Sequence, residues 1–347
     1  MEDFVNSQSP LVEIKPPKKI FEDTAITAES LLKRKITPRE LIVGTWLRQG
    51  DIGFIYGRRG EGKTFFSLSL ACSIAGNAQL NLWKIEKARK VCYVDGEMAL
   101  ENIQSRLRLF LTSNVFNLSD KSIGEFLNFQ HYDEISNTIE DTTLNLTSRE
   151  QQERLLAYCI EHKIEVLFLD NLSCLFKNVK ENEADDWEKV QPFLLNCRRN
   201  RISVIIVVHA GRSGDNMRGT SKREDIADWI IKVRKVDDID APQGKNAKQI
   251  ASIISFEKNR EGTLDETEPQ GFIFTTQNGN MKIEFRKESI EEKFFTLVES
   301  GTNKCGDIAG ELDLSNGYVS KLAQKFEKQG LLERRGRIYV SKRLYKN

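Results

Sequence analysis

No stretch of the 347 residues approaches the run of about 18 consecutive apolar side chains that a bilayer-spanning helix needs. Met1 to Lys19 is charged and carries Pro10, Pro16 and Pro17, without the apolar core of a secretory signal. A cytoplasmic location is expected. The six cysteines, at 72, 92, 159, 174, 197 and 305, form no C-x-x-C pair and mostly sit inside apolar runs, the setting of buried reduced thiols. Neither a disulfide framework nor a zinc site is expected. Net charge is only +1, so it says little about partners until it is resolved along the chain. Internal repeats are absent too.

What is present divides the chain into three. Residues 1–35 mix charge with proline, lack apolar periodicity, and read as a flexible arm or a strap onto a neighbour. Over 36–286, short β-rich runs (Ile52 to Tyr56, Val91 to Asp95, Val166 to Asp170, Val204 to Val208) alternate with helix-competent stretches (Thr64 to Ile74, Glu101 to Phe110, Ser148 to His162). Ser148 followed by Gln151 has the pattern of a capping box. Strands apolar on both faces, alternating with helices, predict an α/β fold with a mostly parallel sheet covered on both sides. Trp229 to Val233, Ile250 to Phe256, Gly271 to Thr275 and Met281 to Phe285 read as a β extension of that sheet. The charged stretches Asp237 to Gln249 and Arg260 to Glu268 read as mobile loops. A small helical domain occupies 287–347.

The strongest chemical signal is Gly57-Arg58-Arg59-Gly60-Glu61-Gly62-Lys63-Thr64, with Phe65 opening a helical stretch directly behind it and an apolar strand in front. This is the context of a P-loop. Its glycines let backbone N–H groups turn toward phosphates, and the helix start adds its positive dipole end. Lys63 is expected on the β- and γ-phosphates of ATP, and the Thr64 hydroxyl on Mg²⁺. Val166 to Leu169 would deliver Asp170 to the carboxyl edge of the sheet as a second magnesium-binding group; the plain alternative is an aspartate capping the next turn. A second such strand runs into Asp95-Gly96-Glu97. Glu97 is the expected general base, across the phosphates from Lys63, with Asp95 its competitor and a surface salt bridge the bland reading. His209, one of three histidines, closes a third strand and is expected to sense the γ-phosphate, unless it is an ordinary hydrogen-bonded histidine. The following loop, with Arg212, Arg218 and Lys222, is a candidate contact to nucleic acid or an adjacent subunit.

From Leu314 to Asn347, nine Lys or Arg stand against two Glu. Helices over Ser289 to Ser300, Cys305 to Leu312 and Ser315 to Gln329, then Gly330 and a hairpin through Ile338, read as a winged helix-turn-helix domain. Lys321 and Lys325 fall on one face of its last helix with Lys328; Asn316, Tyr318 and Ser320 would stand near base edges, and Arg334, Arg335 and Arg337 at the wing. Winged helices that bind only protein are the alternative.

Taken together, the P-loop, CYVDGEM at 92–98, LFLDNLS at 167–173, VIIVVHAGRSG at 204–214 and MRGTSKREDIAD at 217–228 resemble the RepA-type hexameric plasmid helicases, grouped with the DnaB and RecA-like P-loop ATPases. The resemblance runs from Ile36 to Phe285. It implies a RecA-like fold, Glu97 as catalytic base and His209 as phosphate sensor, although that family commonly carries two histidines where this chain has His209-Ala210. A K-x-R pattern late in the domain supplies basic residues to the neighbouring subunit in that family; here Lys258-Asn259-Arg260 follows IISFE, which makes Arg260 a trans finger and Lys258 its helper. The implied protein is a Mg²⁺-dependent ATPase and oligomeric helicase, translocase or loader. It would take single-stranded DNA through the ring and duplex on the winged helix, and replication or mobile-element proteins are further possible partners. The alternative is an ATP-switched DNA-binding regulator without helicase activity.

Overall fold

The computed structural model describes residues 24–113, 120–131, 134–135, 144–177, 187–211, 217, 222–236, 248–277, 279–287, 289–312 and 314–342. The chain divides after Pro38. Before that point lies a short helix, Ala28–Lys33. Thr27 starts it by accepting from the Ser30 amide, and none of its residues is buried.

From Arg39 onward the chain is built on a nine-stranded sheet. In chain order the strands are β1 (Leu41–Val43), β2 (Leu47–Arg48), β3 (Ile52–Gly57), β4 (Val91–Asp95), β5 (Leu127–His131), β6 (Val166–Asp170), β7 (Ser203–His209), β8 (Trp229–Lys235), β9 (Lys248–Asn259), β10 (Gln270–Gln277), β11 (Asn280–Lys287), β12 (Leu332–Arg335) and β13 (Ile338–Ser341). The sheet order is β11-β10-β9-β8-β3-β7-β6-β4-β5. β8, β3, β7, β6, β4 and β5 run parallel, whereas β9, β10 and β11 are added antiparallel. The α/β class and mostly parallel sheet expected from the sequence are observed. So is the β extension, whose antiparallel direction the sequence did not indicate. β3, β4, β6 and β7 bury nearly every residue because both faces are covered: the helix Lys63–Gly76 lies in one apolar cluster, while Cys159 and Leu194, from the helices Arg149–Glu161 and Gln191–Arg199, lie in the other. Trp46 knits the first face, packing edge-on at 5.2 Å from Trp83, 4.9 Å from Trp229 and 5.2 Å from Phe256.

Three local expectations change. Ser148 caps its helix, but the Gln151 side chain accepts from the Asn145 amide at 2.7 Å rather than closing the box on Ser148. The edge strand β5 has no clean alternation in LNFQH and is not evident from sequence. Arg260 to Glu268 is pinned rather than mobile: it contains the helical turn Leu264–Thr267, and Glu266 accepts from the Thr45 amide at 2.6 Å and hydroxyl at 2.7 Å, while its carbonyl takes the Trp83 indole N–H at 2.9 Å. Asp237 to Ala247 lies outside the described residues.

The last segment folds as helices Ile290–Glu299, Cys305–Glu311 and Asn316–Lys328 followed by the β12–β13 hairpin, around a core of its own that includes Phe294, Phe295, Val319, Phe326 and Tyr339. Ser289 and Ser315 cap the first and third helices, Ser289 in a complete capping box with Glu292. This segment is tied to β8. Arg234 donates to Glu299 at 2.9 Å and to the Thr296 hydroxyl at 2.7 Å, and Ser341 donates to the other oxygen of Glu299 at 2.8 Å. Among the described residues no helix is long and apolar enough to cross a membrane.

Candidate functional site

The carboxyl ends of β3, β4, β6 and β7 open onto a cleft of about 470 Å³ lined by residues of the Gly-rich loop and by Asp95, Glu97, Asn102, Arg106, Asp170, Asn171 and His209. Its floor begins at Gly57, where a Cβ would stand 2.2 Å from the Val233 carbonyl oxygen, so the loop can leave β3 past β8 only without a side chain. At the other end of the loop Gly62 caps the helix with φ 91° and ψ 8°, a left-handed conformation that glycine adopts at little cost. No side chain caps that helix start, which leaves first-turn N–H groups and the positive end of the dipole for an anion. Glu61 shapes the loop from within: its carboxylate accepts from the Arg58 amide, and its carbonyl takes the Ser252 hydroxyl at 2.6 Å. Burial pushes the Glu61 carboxyl up.

Lys63 is buried and folds back to donate to the Arg58 carbonyl at 2.7 Å; burial lowers its pKa, against the pull of Asp170 and Glu61. Asp170 ends β6 fully inside the protein. Tyr93 donates to it at 2.6 Å, and Ser67, on the helix behind the loop, lies 2.9 Å from the Tyr93 hydroxyl. Burial, reinforced by the neighbouring Asp95, pushes the Asp170 carboxyl up to about 6, although Tyr93, Thr64 and Lys63 all favour its charge.

Asp95 ends β4 in register with Asp170 and is likewise buried. One of its oxygens accepts from the amides of Glu97 at 2.9 Å and Met98 at 2.7 Å, which turns the Glu97 side chain outward to the cleft. Glu97 is half-exposed. Asn171 ties it to the neighbouring strand, donating through Nδ2 to the Glu97 carboxylate and standing 3.3 Å from His209 Nε2, itself 3.8 Å from Glu97. Asn171 is locked because its other amide atom accepts from the Cys174 amide at 3.1 Å and the Ser173 hydroxyl at 2.9 Å. Arg106, on the helix Leu100–Leu111, lies with its guanidinium carbon 4.4 Å from the Phe65 ring centroid; burial lowers its pKa, against Tyr93, Asp170 and Asp95.

Lys63, Thr64, Glu97, Asp170 and His209 are thus brought together, as expected. Lys258 and Arg260 are not among them. β9 is antiparallel to β8 and pairs Asn259 with Trp229, at the opposite end of the sheet, where Lys258 donates to the Glu224 carbonyl and Arg260 to the Asp225 carbonyl at 2.9 Å. Arg212 and Arg218 lie outside the described residues, as does the Lys222 side chain. In the C-terminal segment Asn316, Tyr318, Lys321, Lys325, Arg334, Arg335 and Arg337 are exposed and Ser320 half-buried. Lys325 is paired with Glu291 at 2.6 Å and Arg335 with Glu333 at 3.1 Å. Sequence reasoning missed Asn171 and Arg106. The available signals were a polar residue directly after the strand-ending Asp170 and, on the helix following Glu97, Asn102 and Arg106 four residues apart.

The family model described as an AAA domain matches residues 17–215, more than half of the chain. The chain belongs to this family. It is accordingly a P-loop nucleotide-binding ATPase. Among solved structures, a KaiC-like protein from the hyperthermophilic archaeon Pyrococcus horikoshii is similar at 13% identity, over 69% of this chain and 91% of that one, with a TM-score of 0.48. Among curated proteins, none matches by sequence. The cleft of this AAA domain fits the nucleotide and the magnesium ion that such ATPases use: an uncapped helix start faces it, and Thr64 and Asp170 are hydrogen-bonded there as hard oxygen donors. Among the described residues no group of three or more His, Cys, Asp or Glu could hold an ion. Magnesium does not require one, because it commonly takes one or two protein oxygens and completes its shell with phosphate and water.

Proposed function

We propose that this AAA domain is the motor of an oligomeric, hexameric DNA helicase, translocase or loader serving replication or maintenance of a mobile element. The observation that carries the oligomer is the place of Arg260. Register puts it about five residues along the sheet axis from Gly57, on the order of 15 Å at strand rise. Its guanidinium turns to Asp225 and Asp228 rather than toward the Gly-rich loop. That distance from the Gly-rich loop of its own chain supports reading it as a finger for a neighbour's site. Lys258, two residues earlier, would share that role.

In this reading Lys63 exchanges the Arg58 carbonyl for the β- and γ-phosphates of ATP. Glu97, oriented by Asp95 and Asn171, positions the attacking water and takes its proton. His209 reads the γ-phosphate through the same Asn171, and Arg106 adds positive charge beside Phe65. Bound at Thr64 and Asp170, magnesium would neutralise phosphate charge. Residues 287–347 form a winged helix-turn-helix domain in which Asn316, Tyr318, Ser320, Lys321 and Lys325, with the wing residues Arg334, Arg335 and Arg337, face duplex DNA; three helices and a hairpin around a separate core support this. Arg212, Arg218 and Lys222 are assigned to the single strand.

A second reading has its own support. The Arg234–Glu299 ion pair is largely buried and joins the C-terminal segment to β8, the strand beside the one that carries the Gly-rich loop. That suits an ATP-switched DNA-binding regulator. Steady-state ATPase without DNA, with single strands and with duplex, alongside mass determination with and without a non-hydrolysable ATP analogue, separates the two. Stimulation by single strands in a nucleotide-dependent hexamer supports the motor. Turnover indifferent to single strands in a small assembly supports the switch.

A further inference from the structure

We propose that Asp95 is the second carboxylate of the metal shell: it accepts a hydrogen bond from a water held by the cation that Thr64 and Asp170 bind. The inference rests on the reading of the cleft as a magnesium–nucleotide site. Only 1% of Asp95 is exposed, and its two oxygens have opposite fates. Oδ1 is satisfied by the amides of Glu97 and Met98. Oδ2 is buried and has no hydrogen-bond partner among the described residues. A buried carboxylate oxygen left in that condition is costly, and folds retain such an atom where a ligand completes it.

The position narrows the ligand. Asp95 lines the cleft and pairs in register with Asp170, so a group satisfying Oδ2 also feels Asp170. Two carboxylates side by side call for positive charge. Arg106 and His131 both act on Asp95 electrostatically, but His131 is engaged on the Met98 carbonyl at 2.6 Å and Arg106 lies against Phe65. A hydrated divalent cation brings both the charge and an O–H donor, and magnesium keeps several of its waters when bound. The one side chain then does two things. Oδ1 fixes the base Glu97, and Oδ2 fixes the cation's water, so base and metal share a common anchor at the end of β4.

Two substitutions separate these roles. Asp95→Asn keeps an amide oxygen for the Glu97 and Met98 N–H groups but replaces the second oxygen with a donor. Asp95→Ser keeps a hydroxyl acceptor and removes the anion altogether. The full-length chain is titrated with a fluorescent non-hydrolysable ATP analogue in EDTA and over a range of Mg²⁺ concentrations. Wild type is expected to bind the analogue more tightly as Mg²⁺ rises. Measured against its own affinity in EDTA, each variant should need about tenfold or more Mg²⁺ for the same tightening, the size of effect that outer-shell partners exert. Wild-type Mg²⁺ dependence in either variant overturns the proposal. Asp170→Asn, run in parallel, tests the underlying site. If wild type binds no analogue, or Asp170→Asn leaves the metal response intact, the magnesium–nucleotide reading itself fails, which is a different result from failure at Asp95 alone.

Discussion

Replacing Asp170 with asparagine should make the metal-free protein more stable, increasingly so as pH rises. In the unfolded chain this carboxyl ionises at its ordinary 3.8; in the fold, burial beside Asp95 holds the proton until about 6. Between those values the native state binds more protons than the unfolded one, so stability falls with rising pH. Asp170's favourable contribution is complete below about pH 4 and is lost as pH passes about 6. A shift of about two units costs about 3 kcal/mol once the group is fully charged, and the same linkage gives roughly half of that at pH 5. Because Asp170 is buried, no solvent screening reduces this figure. Asparagine can still accept from the Tyr93 hydroxyl and carries no charge to desolvate. Urea unfolding in EDTA, followed by tryptophan fluorescence, should therefore give Asp170→Asn an advantage of about 3 kcal/mol at pH 8 and roughly half of that at pH 5, with unchanged m-values. An advantage independent of pH, or a variant less stable than wild type at pH 8, would refute the reasoning. Saturating Mg²⁺ and nucleotide should reverse the order, since only the wild-type carboxylate then meets its cation.

Glu97→Gln should bind Mg²⁺ and ATP with near wild-type affinity yet turn over about 10²- to 10⁴-fold more slowly, by single-turnover assay; ordinary turnover would move the base to another residue. Arg260→Ala should be inactive alone but regain ATPase when mixed with Glu97→Gln, because mixed rings place an intact finger against an intact base; failure at every mixing ratio would contradict a trans role. Glu299→Ala strips Arg234 of a buried carboxylate and should destabilise the junction by about 3 kcal/mol, seen as earlier release of the C-terminal segment in limited proteolysis.

How far the sequence reaches depends on how local the physics is. The strands β3, β4, β6 and β7 were legible because buried parallel strands leave continuous apolar runs, and each run ends in a residue whose chemistry is wasted anywhere but a sheet edge: Gly57, Asp95, Asp170 and His209. β5 was not legible, because an edge strand needs only partial apolar character, and LNFQH has three polar positions against two apolar ones. The candidate site divides the same way. Lys63, Thr64 and Asp170 are fixed by spacing within a strand–loop–helix unit. Asn171 and Arg106 owe their positions to packing between elements: Asn171 matters because β6 lies between β4 and β7 and so brings Glu97 and His209 to its two sides. Asp95 shows the limit most clearly. From sequence it competes with Glu97 for one role, since both are carboxylates at one strand end. Only the hydrogen bonds show that Asp95 turns its first oxygen to the backbone amides of Glu97 and Met98 and leaves its second buried without a partner among the described residues, which is why the proposal gives the two carboxylates different roles.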